Sequence, residues 1–394
     1  MFLKDLAQVF WKNIREYGMY IALFVIMAFF TATTGGIFIS SRNISNLVNQ
    51  TGYIAVLAVG MTLVIVIRHI DLSVGYLAGF LGAIAVIALE FWHLPVYVVI
   101  PITLAVGALA GLVTAFPVAQ LGIPSFVASL AGWLIYRGAL LLVTAGTGTI
   151  IVDDASFNAI GNGYIPDIFP DNGFLPGVHK LTLIIGLVAI ILFIISGISS
   201  RRKKQAYNFE VLPMNIFVLQ LVFVSVLIGL ITWVLSGYNG LSWTLVIVLI
   251  VVAIYHFVTT QTVLGRHIYA IGGNPEAAEL SGISVKNLTY VVFGSMGMLS
   301  ALSGILYASR LRSATTTAGQ LFEMDAIAAA YIGGVSAAGG VGKVTGSLIG
   351  ALVGMSLTSG MNLMNVDIAY QYIVRGAVLV AAVVFDVATR NRGK

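Results

Sequence analysis

The stretch GRHIYAIGGNPEAAELSGISVKN, residues 265–287, stands between two apolar runs near 241–259 and 288–309. Each run is close to the roughly 20 apolar residues that a helix needs to cross a bilayer. The stretch itself is polar and reads as a short helix with defined ends. Gly272-Gly273 permits a tight turn, and Asn274 is a favoured N-cap. Pro275 suits the first helical position, where no N–H is needed, and Glu276 meets the positive end of the helix dipole. Ser281 follows after barely two turns, and Gly282 is a natural stop. Ala277 and Ala278 are small enough to let the helix seat in a groove. An amphipathic connector would have much the same composition, so the residues alone leave both readings open.

Outward from this segment the chain is apolar nearly everywhere. Of 394 residues, 59% are hydrophobic and 9% charged, and the mean hydropathy is +1.01. A soluble domain carries roughly a quarter charged residues and must cover its own surface. The whole chain, 1–394, therefore reads as one all-α polytopic membrane domain. Spans are expected near residues 17–39, 51–67, 74–90, 95–119, 125–143, 181–199, 213–236, 241–259, 288–309, 324–341, 343–361 and 369–388. The tenth is short and glycine-broken, giving eleven or twelve spans. The first run is too long for the core of a signal peptide and lacks a small-residue cleavage site, so it reads as a retained span.

Several chemistries are disfavoured by the same inventory. There is no cysteine, which removes disulfides, thiol catalysis and thiolate metal sites. His69, His93, His179, His256 and His267 show no ligand spacing, so no metal centre is expected. Gly340-Val-Gly-Lys343 superficially resembles a phosphate loop, but Ala337 stands where the first glycine belongs and Val344 where Ser or Thr is required. No nucleotide site, enzyme activity or cofactor is expected on this chain.

The net charge of +5 is a topology signal rather than a nucleic-acid footprint. With the N-terminus inside and the spans alternating, fourteen Lys and Arg residues fall on inner segments and four on outer ones. Both termini are then cytoplasmic. A basic inner loop, 200–212, carries Arg201-Arg-Lys-Lys204 as an anchor, and 265–287 lies on the same side. The one long outer loop, 144–180, holds Asp153, Asp154, Asp167, Asp171 and three prolines. It could cap a pathway, receive an external partner or be a solvated connector.

Resemblance gives the 265–287 segment a purpose. Gly272-Gly-Asn-Pro-Glu-Ala-Ala-Glu-Leu-Ser-Gly-Ile283 resembles the cytoplasmic coupling loop of ATP-binding-cassette monosaccharide permeases of the ribose, galactose and xylose type. Ile70-Asp-Leu-Ser-Val-Gly75 is similar to that family's IDLSVG element. Ile123-Pro-Ser-Phe126 with Arg137-Gly138, Glu323-x-Asp325-Ala-Ile-Ala-Ala, and Gly333-Gly334 with Gly339-Gly340 follow in order. The resemblance implies a permease subunit of a bacterial inner-membrane importer, acting as a homodimer. It implies a cytoplasmic ATPase partner that holds ATP and Mg, and an extracytoplasmic sugar-binding protein. It also implies that residues 274–283 are the coupling helix that drives alternating access. An additional pair of spans near 200–240 makes the chain look more like the longer xylose and multiple-monosaccharide subgroup.

The chain departs from the family where Arg68-His69 replaces the usual two glycines before IDLSVG. Arg68 could anchor at the interface or pair with Asp71. Asp71 with Ser73 fits a cap on the third span, and leaves open a sugar contact, a gate or a subunit contact. The glycine-rich segment 331–343 should interrupt a helix where backbone is buried or lines a cavity. Gly107-Ala-Leu-Ala-Gly111 echoes Gly350-Ala-Leu-Val-Gly354, and Arg137-Gly-Ala139 echoes Arg375-Gly-Ala377, suggesting an inverted repeat. Asn49, Gln50, Ser125, Ser129, Asn362, Asn365 and Gln371 are the remaining polar candidates for a pathway or gate. An ion-gradient-driven secondary transporter is the alternative. It would want paired carboxylates at mid-membrane, whereas Asp71, Glu323 and Asp325 fall near span ends.

Overall fold

The computed structural model describes residues 14–169, 175–209, 211 and 213–391. Lys4, Lys12, Asp171, Arg392 and Lys394, counted above among the charges, lie outside the described residues. The described chain is helical almost throughout. Its long helices are α1 (Ile14–Thr33), α2 (Ser41–Val66), α3 (Val74–Glu90), α4 (Val96–Leu121) and α5 (Ser125–Thr144). After the strand β1 (Ile150–Ile151) and the short helix α6 (Ala155–Asn162) come α7 (Lys180–Ala206), α8 (Met214–Ser236) and α9 (Trp243–Gln261). Two short helices, α10 (Val263–Gly273) and α11 (Pro275–Leu280), lead into α12 (Val285–Leu311). The strand β2 (Ser313–Ala314), α13 (Phe322–Ile332), α14 (Val344–Leu363) and α15 (Ile368–Asn391) complete the order.

Among the described residues, nine helices are long and apolar enough to cross a membrane, and α1 and α3 supply two shorter apolar helices. The tenth expected span is α13, only 11 residues long. Its helix ends at Gly333, and the chain covers 333–343 in a non-helical loop in which Gly334, Gly339 and Gly340 have positive φ. The expected break is therefore a half-length helix followed by a glycine loop.

The helices alternate between two ends of the molecule. One end, here termed upper, gathers 150–165, 237–242 and the β1–β2 pair, in which Ile150 opposes Ala314. The lower end gathers 66–73, 263–284 and 339–342. α1 starts at the lower end, where the Met19 sulfur lies beside Gly346, and α15 returns there to place Asp386 at Ser336. α4 and α14 run in opposite senses, as do α5 and α15, which is the arrangement inverted copies need.

Burial sorts the helices into a core and a periphery. The apolar windows of α2 and α12 are 83% and 72% buried, against 11% for α7 and 6% for α8. A helix apolar on all sides and exposed on most of them belongs in lipid. α7 and α8 form a peripheral hairpin packed chiefly on each other. At the centre, glycines let backbones touch. Gly297 of α12 abuts the Gly107 carbonyl and Gly111 of α4. Gly304 abuts Ala78 and Gly82 of α3, while Gly350 of α14 abuts Ala329 of α13. Such contacts replace the hydrophobic drive that lipid does not supply. Polar side chains add cross-links, with Ser303 donating to the Tyr53 carbonyl at 2.8 Å and Thr62 bonded to Ser347 at 2.5 Å.

A side chain at Gly297 has nowhere to go. Gly297→Leu is expected to lower the thermal midpoint of the purified protein in detergent, because overpacking costs about 1–3 kcal/mol. Gly354 faces open space, so Gly354→Ala should leave the midpoint unchanged or raise it, since alanine gains about 1 kcal/mol in a helix interior.

Candidate functional site

The lower end holds the segment that the sequence marks out. Thr262 caps α10, its side chain accepting from the Gly265 N–H at 3.2 Å. Asn274 closes α10 and opens α11, its Oδ1 accepting from the Ala277 N–H at 3.1 Å. Pro275 takes the first helical position and Glu276 the first turn. Ser281 is the C-cap and donates through Oγ to the Ala277 carbonyl at 2.8 Å. Gly282 has φ +82°, and the Ile283 N–H returns to the Ala278 carbonyl at 3.0 Å. The short helix expected from its caps is thus present, starting at Pro275 as expected and ending at Leu280, one residue before the expected end at Ser281.

Its faces are unequal. Ala278 is 5% exposed and seated against the body, with Ile283 half-buried beside it. Gly273, Asn274, Glu276, Ala277, Glu279, Ser281 and Gly282 are exposed. Leu280 is 91% exposed, the apolar tip of an otherwise polar knob. Burial separates Ala277 from Ala278, and only Ala277 is free to meet another surface.

Behind this knob lies a latch that joins three parts of the chain. Arg68, at φ +65° just past α2, donates through Nε to the Gly272 carbonyl at 2.7 Å and through its second nitrogen to the Gly273 carbonyl. A cation on the last carbonyls of a helix satisfies orphan acceptors and opposes the negative dipole end. The Gly340 N–H donates to the Val66 carbonyl at 2.9 Å, and a side chain at Gly272 would collide with both Val66 and Gly340. Tyr269 donates its hydroxyl to the Gly342 carbonyl at 2.6 Å. Burial raises the Tyr269 phenol above its ordinary range, keeping it protonated as a donor. Arg68 therefore makes no pair with Asp71. The sequence signal for this role was the Arg68-His69 departure itself, but its partners lie some 200 residues away.

The polar candidates divide into three groups. Asp71, Ser73, Ser125 and Ser129 meet at the loop between α2 and α3. Asp71 is 2% exposed, and its Oδ1 accepts from the Ser73 N–H at 2.9 Å and the Ser73 hydroxyl at 2.6 Å. Ser125 accepts from the Ile70 N–H at 3.1 Å, and Ser129 donates to the Ile70 carbonyl at 3.3 Å. All four fix the backbone between α2, α3 and α5. Asn362, Asn365 and Gln371 form a second group at the α14–α15 turn. Gln371 donates to Asn362 Oδ1 at 2.8 Å and to the Val366 carbonyl at 3.0 Å, while Asn365 takes φ +56°. Asn49 and Gln50 lie apart from both, in the upper half of α2.

Over residues 144–169 the long loop is no loose connector. Phe157 of α6 is fully buried, and Ser309 accepts from the Gly161 N–H while donating to the Phe157 carbonyl, both at 2.6 Å. Asp154 caps α6, and Glu90 accepts from the Asp153 N–H at 3.0 Å. Tyr164 bonds Ser45 at 3.0 Å and accepts from Asn49 at 3.4 Å. Glu323 is buried and accepts from the Trp133 indole at 3.0 Å, and Asp325 forms an ion pair with Arg375. Among the described residues, no three His, Asp or Glu side chains group as metal ligands.

Comparison with known proteins agrees with this architecture. The family described as branched-chain amino acid transport system / permease component matches residues 43–383. The xylose transport system permease protein XylH of Haemophilus influenzae is 40% identical over 381 residues, covering 96% of this chain and 98% of that protein. Its Escherichia coli K12 counterpart is 39% identical over 96% of this chain and 93% of its own. The ribose import permease protein RbsC of H. influenzae is 33% identical over 94% of this chain and 93% of its own. No solved structure matches. The family match and these relatives span nearly the whole helical chain, which belongs to the branched-chain amino acid transport system / permease component family as a membrane-embedded permease.

Proposed function

We propose that the chain is the membrane-spanning subunit of a binding-protein-dependent importer of monosaccharides, with xylose as its first candidate cargo. The observation that carries this reading is the 40% identity to a xylose permease along nearly the full length of both chains. The lower end faces the cytoplasm, with both termini, and the upper end faces outward. Arg68, Arg266, Lys286 and Lys343 at the lower end fit the positive-inside rule, as do Arg201–Lys204 at the foot of α7. The protein then resides in the bacterial cytoplasmic membrane as one of two identical copies. A soluble sugar-binding protein delivers cargo from outside to the surface formed in part by 150–165. ATP and Mg belong to a partner ATPase beneath.

In this reading α11 is the coupling helix. Leu280 and Ala277 enter a groove on the ATPase, and Glu276 and Glu279 flank them. Force on α11 passes through Gly272-Gly273 to Arg68 and the end of α2, and through Gly340 and Tyr269 to the glycine loop ahead of α14. The latch ties the ATPase contact to the most buried helix and to the least regular segment of the bundle. Interfaces of this kind move as units because packed contacts are bistable rather than elastic.

Two measurements test the scheme. Leu280→Lys should cut ATP-driven xylose uptake by about tenfold or more while leaving insertion and yield unchanged, as expected for an anchor removed from a docking pocket. Uptake at the normal rate would remove Leu280 from the contact. Uptake that needs neither ATP nor a binding protein and collapses with an uncoupler would establish a secondary transporter instead. For the latch, Arg68→Ala removes two charge-assisted bonds of about 1.5–3 kcal/mol each, so amide exchange across 268–283 should rise about tenfold or more. Arg68→Lys should recover only part of the protection, since an ammonium cannot fork across two carbonyls.

A further inference from the structure

α2 is the most enclosed helix of the bundle, yet a polar stripe along it stays partly open. From 51 to 67 every residue is buried except Tyr53, and above it Gln50 and Asn46 are partly open on the same face. Tyr307 and Arg310 of α12 are likewise partly open. Tyr53, Tyr307 and Phe322 form a mutual aromatic cluster, with centroids 5.1 Å apart for the tyrosine pair and 4.9 Å from each tyrosine to Phe322. Arg310 spans the upper rim, donating to Asn162 at 2.8 Å and to Asn46 at 3.3 Å. Asp325 and Arg375, the ion pair beside this face, are 25% and 24% exposed. They line a small cleft with Ile54 and Thr358.

Polar and charged groups part-exposed at this depth do not face acyl chains, because each would lose hydration without repayment. They face water or protein. The buried Oδ1 of Asn49, one turn from Asn46 and Tyr53, has no hydrogen-bond partner among the described residues, although acceptors this deep are normally satisfied. The composition of the stripe is also specific. Flat aromatic faces take the C–H face of a sugar ring, while amide and guanidinium groups donate to hydroxyls. The serine and Asn362–Gln371 groups described above are already committed to their own backbone.

We propose that Asn46, Gln50, Tyr53, Tyr307 and Arg310 form a sugar-contact site in the outer half of the translocation pathway, with Tyr53 as its stacking ring and Tyr307 set edge to face against it. This deepens the importer reading and rests on it. The site takes a neutral polyhydroxylated ring. It sits below Asn162 and Tyr164, so the packed outer loop forms its rim and cargo released there meets Arg310 and Asn46 before it reaches Tyr53. The Asp325–Arg375 pair closes its inner flank without presenting a net charge to the cargo.

The absence of cysteine makes single-cysteine reporting direct. Gln50→Cys and Tyr307→Cys would be placed in the otherwise unchanged chain, with Leu230→Cys on lipid-facing α8, 56% exposed, as control. In proteoliposomes containing the complete transporter, a charged, membrane-impermeant thiol reagent should modify positions 50 and 307 about tenfold faster than 230. Xylose presented with its binding protein should slow both reactions severalfold and leave position 230 unaffected. Tyr53→Ala should lower uptake about tenfold and Tyr53→Phe should restore most of it, since the ring is what stacks. Reaction at 50 and 307 no faster than at 230, no protection by xylose, or full uptake by Tyr53→Ala would each overturn the site. Wild-type uptake in the same vesicles judges the importer reading separately: transport that ignores ATP and the binding protein overturns that reading.

Discussion

The contact of glycine with backbone at the centre of the bundle is the constraint from which the rest follows. Gly297 and Gly304 sit one above the other on α12, and their missing side chains let α4 and α3 come down onto its surface. In lipid, apolar area gives helices no reason to associate, so close approach and a few hydrogen bonds must hold them. Ser303 reaches the Tyr53 carbonyl only because α2 and α12 are this near. The same logic repeats at Gly350 against Ala329. Regions without such contacts, the α7–α8 hairpin above all, remain at the edge with most of their apolar surface in the bilayer.

At the lower end three interruptions of the helical backbone come together. The 333–343 loop, the turn at 67–73 and the two short helices α10 and α11 meet there through Arg68, Gly272 and Gly340. Each contributes backbone that no longer bonds within its own helix and so needs partners elsewhere. Those partners come from one another, which makes a mechanical junction out of three irregular segments. At the upper end the 150–165 segment is packed and capped instead, with Phe157 buried and Ser309 bonded on both sides.

Legibility varied with the range of the interaction. The ends of α11 could be read because Asn274, Pro275 and Gly282 act on neighbours within four residues. Asp71 was expected to cap α3, but the N-cap is Ser73, and Asp71 bonds the Ser73 N–H and hydroxyl just ahead of the helix. Ser125 and Ser129 looked like free hydroxyls in sequence, but their partner is the Ile70 backbone, 55 and 59 residues away. The face of α11 was equally hidden: Ala277 and Ala278 are identical in type, and only packing buries one of them. Leu280 passed as an ordinary apolar residue until its exposure set it apart.

By itself the sequence determined the membrane class, the order of the apolar runs, the glycine break and most of the local caps. These depend on hydrophobic length, backbone chemistry and contacts along the chain, all of which are written residue by residue. Only the tertiary structure decided which polar groups are satisfied internally and which stay open. Arg68 became a latch, Gln371 a turn staple and Tyr53 the one open residue in a buried stretch because of neighbours that other helices bring. In a bilayer every polar side chain must find a partner somewhere, and the search ends in space rather than along the chain.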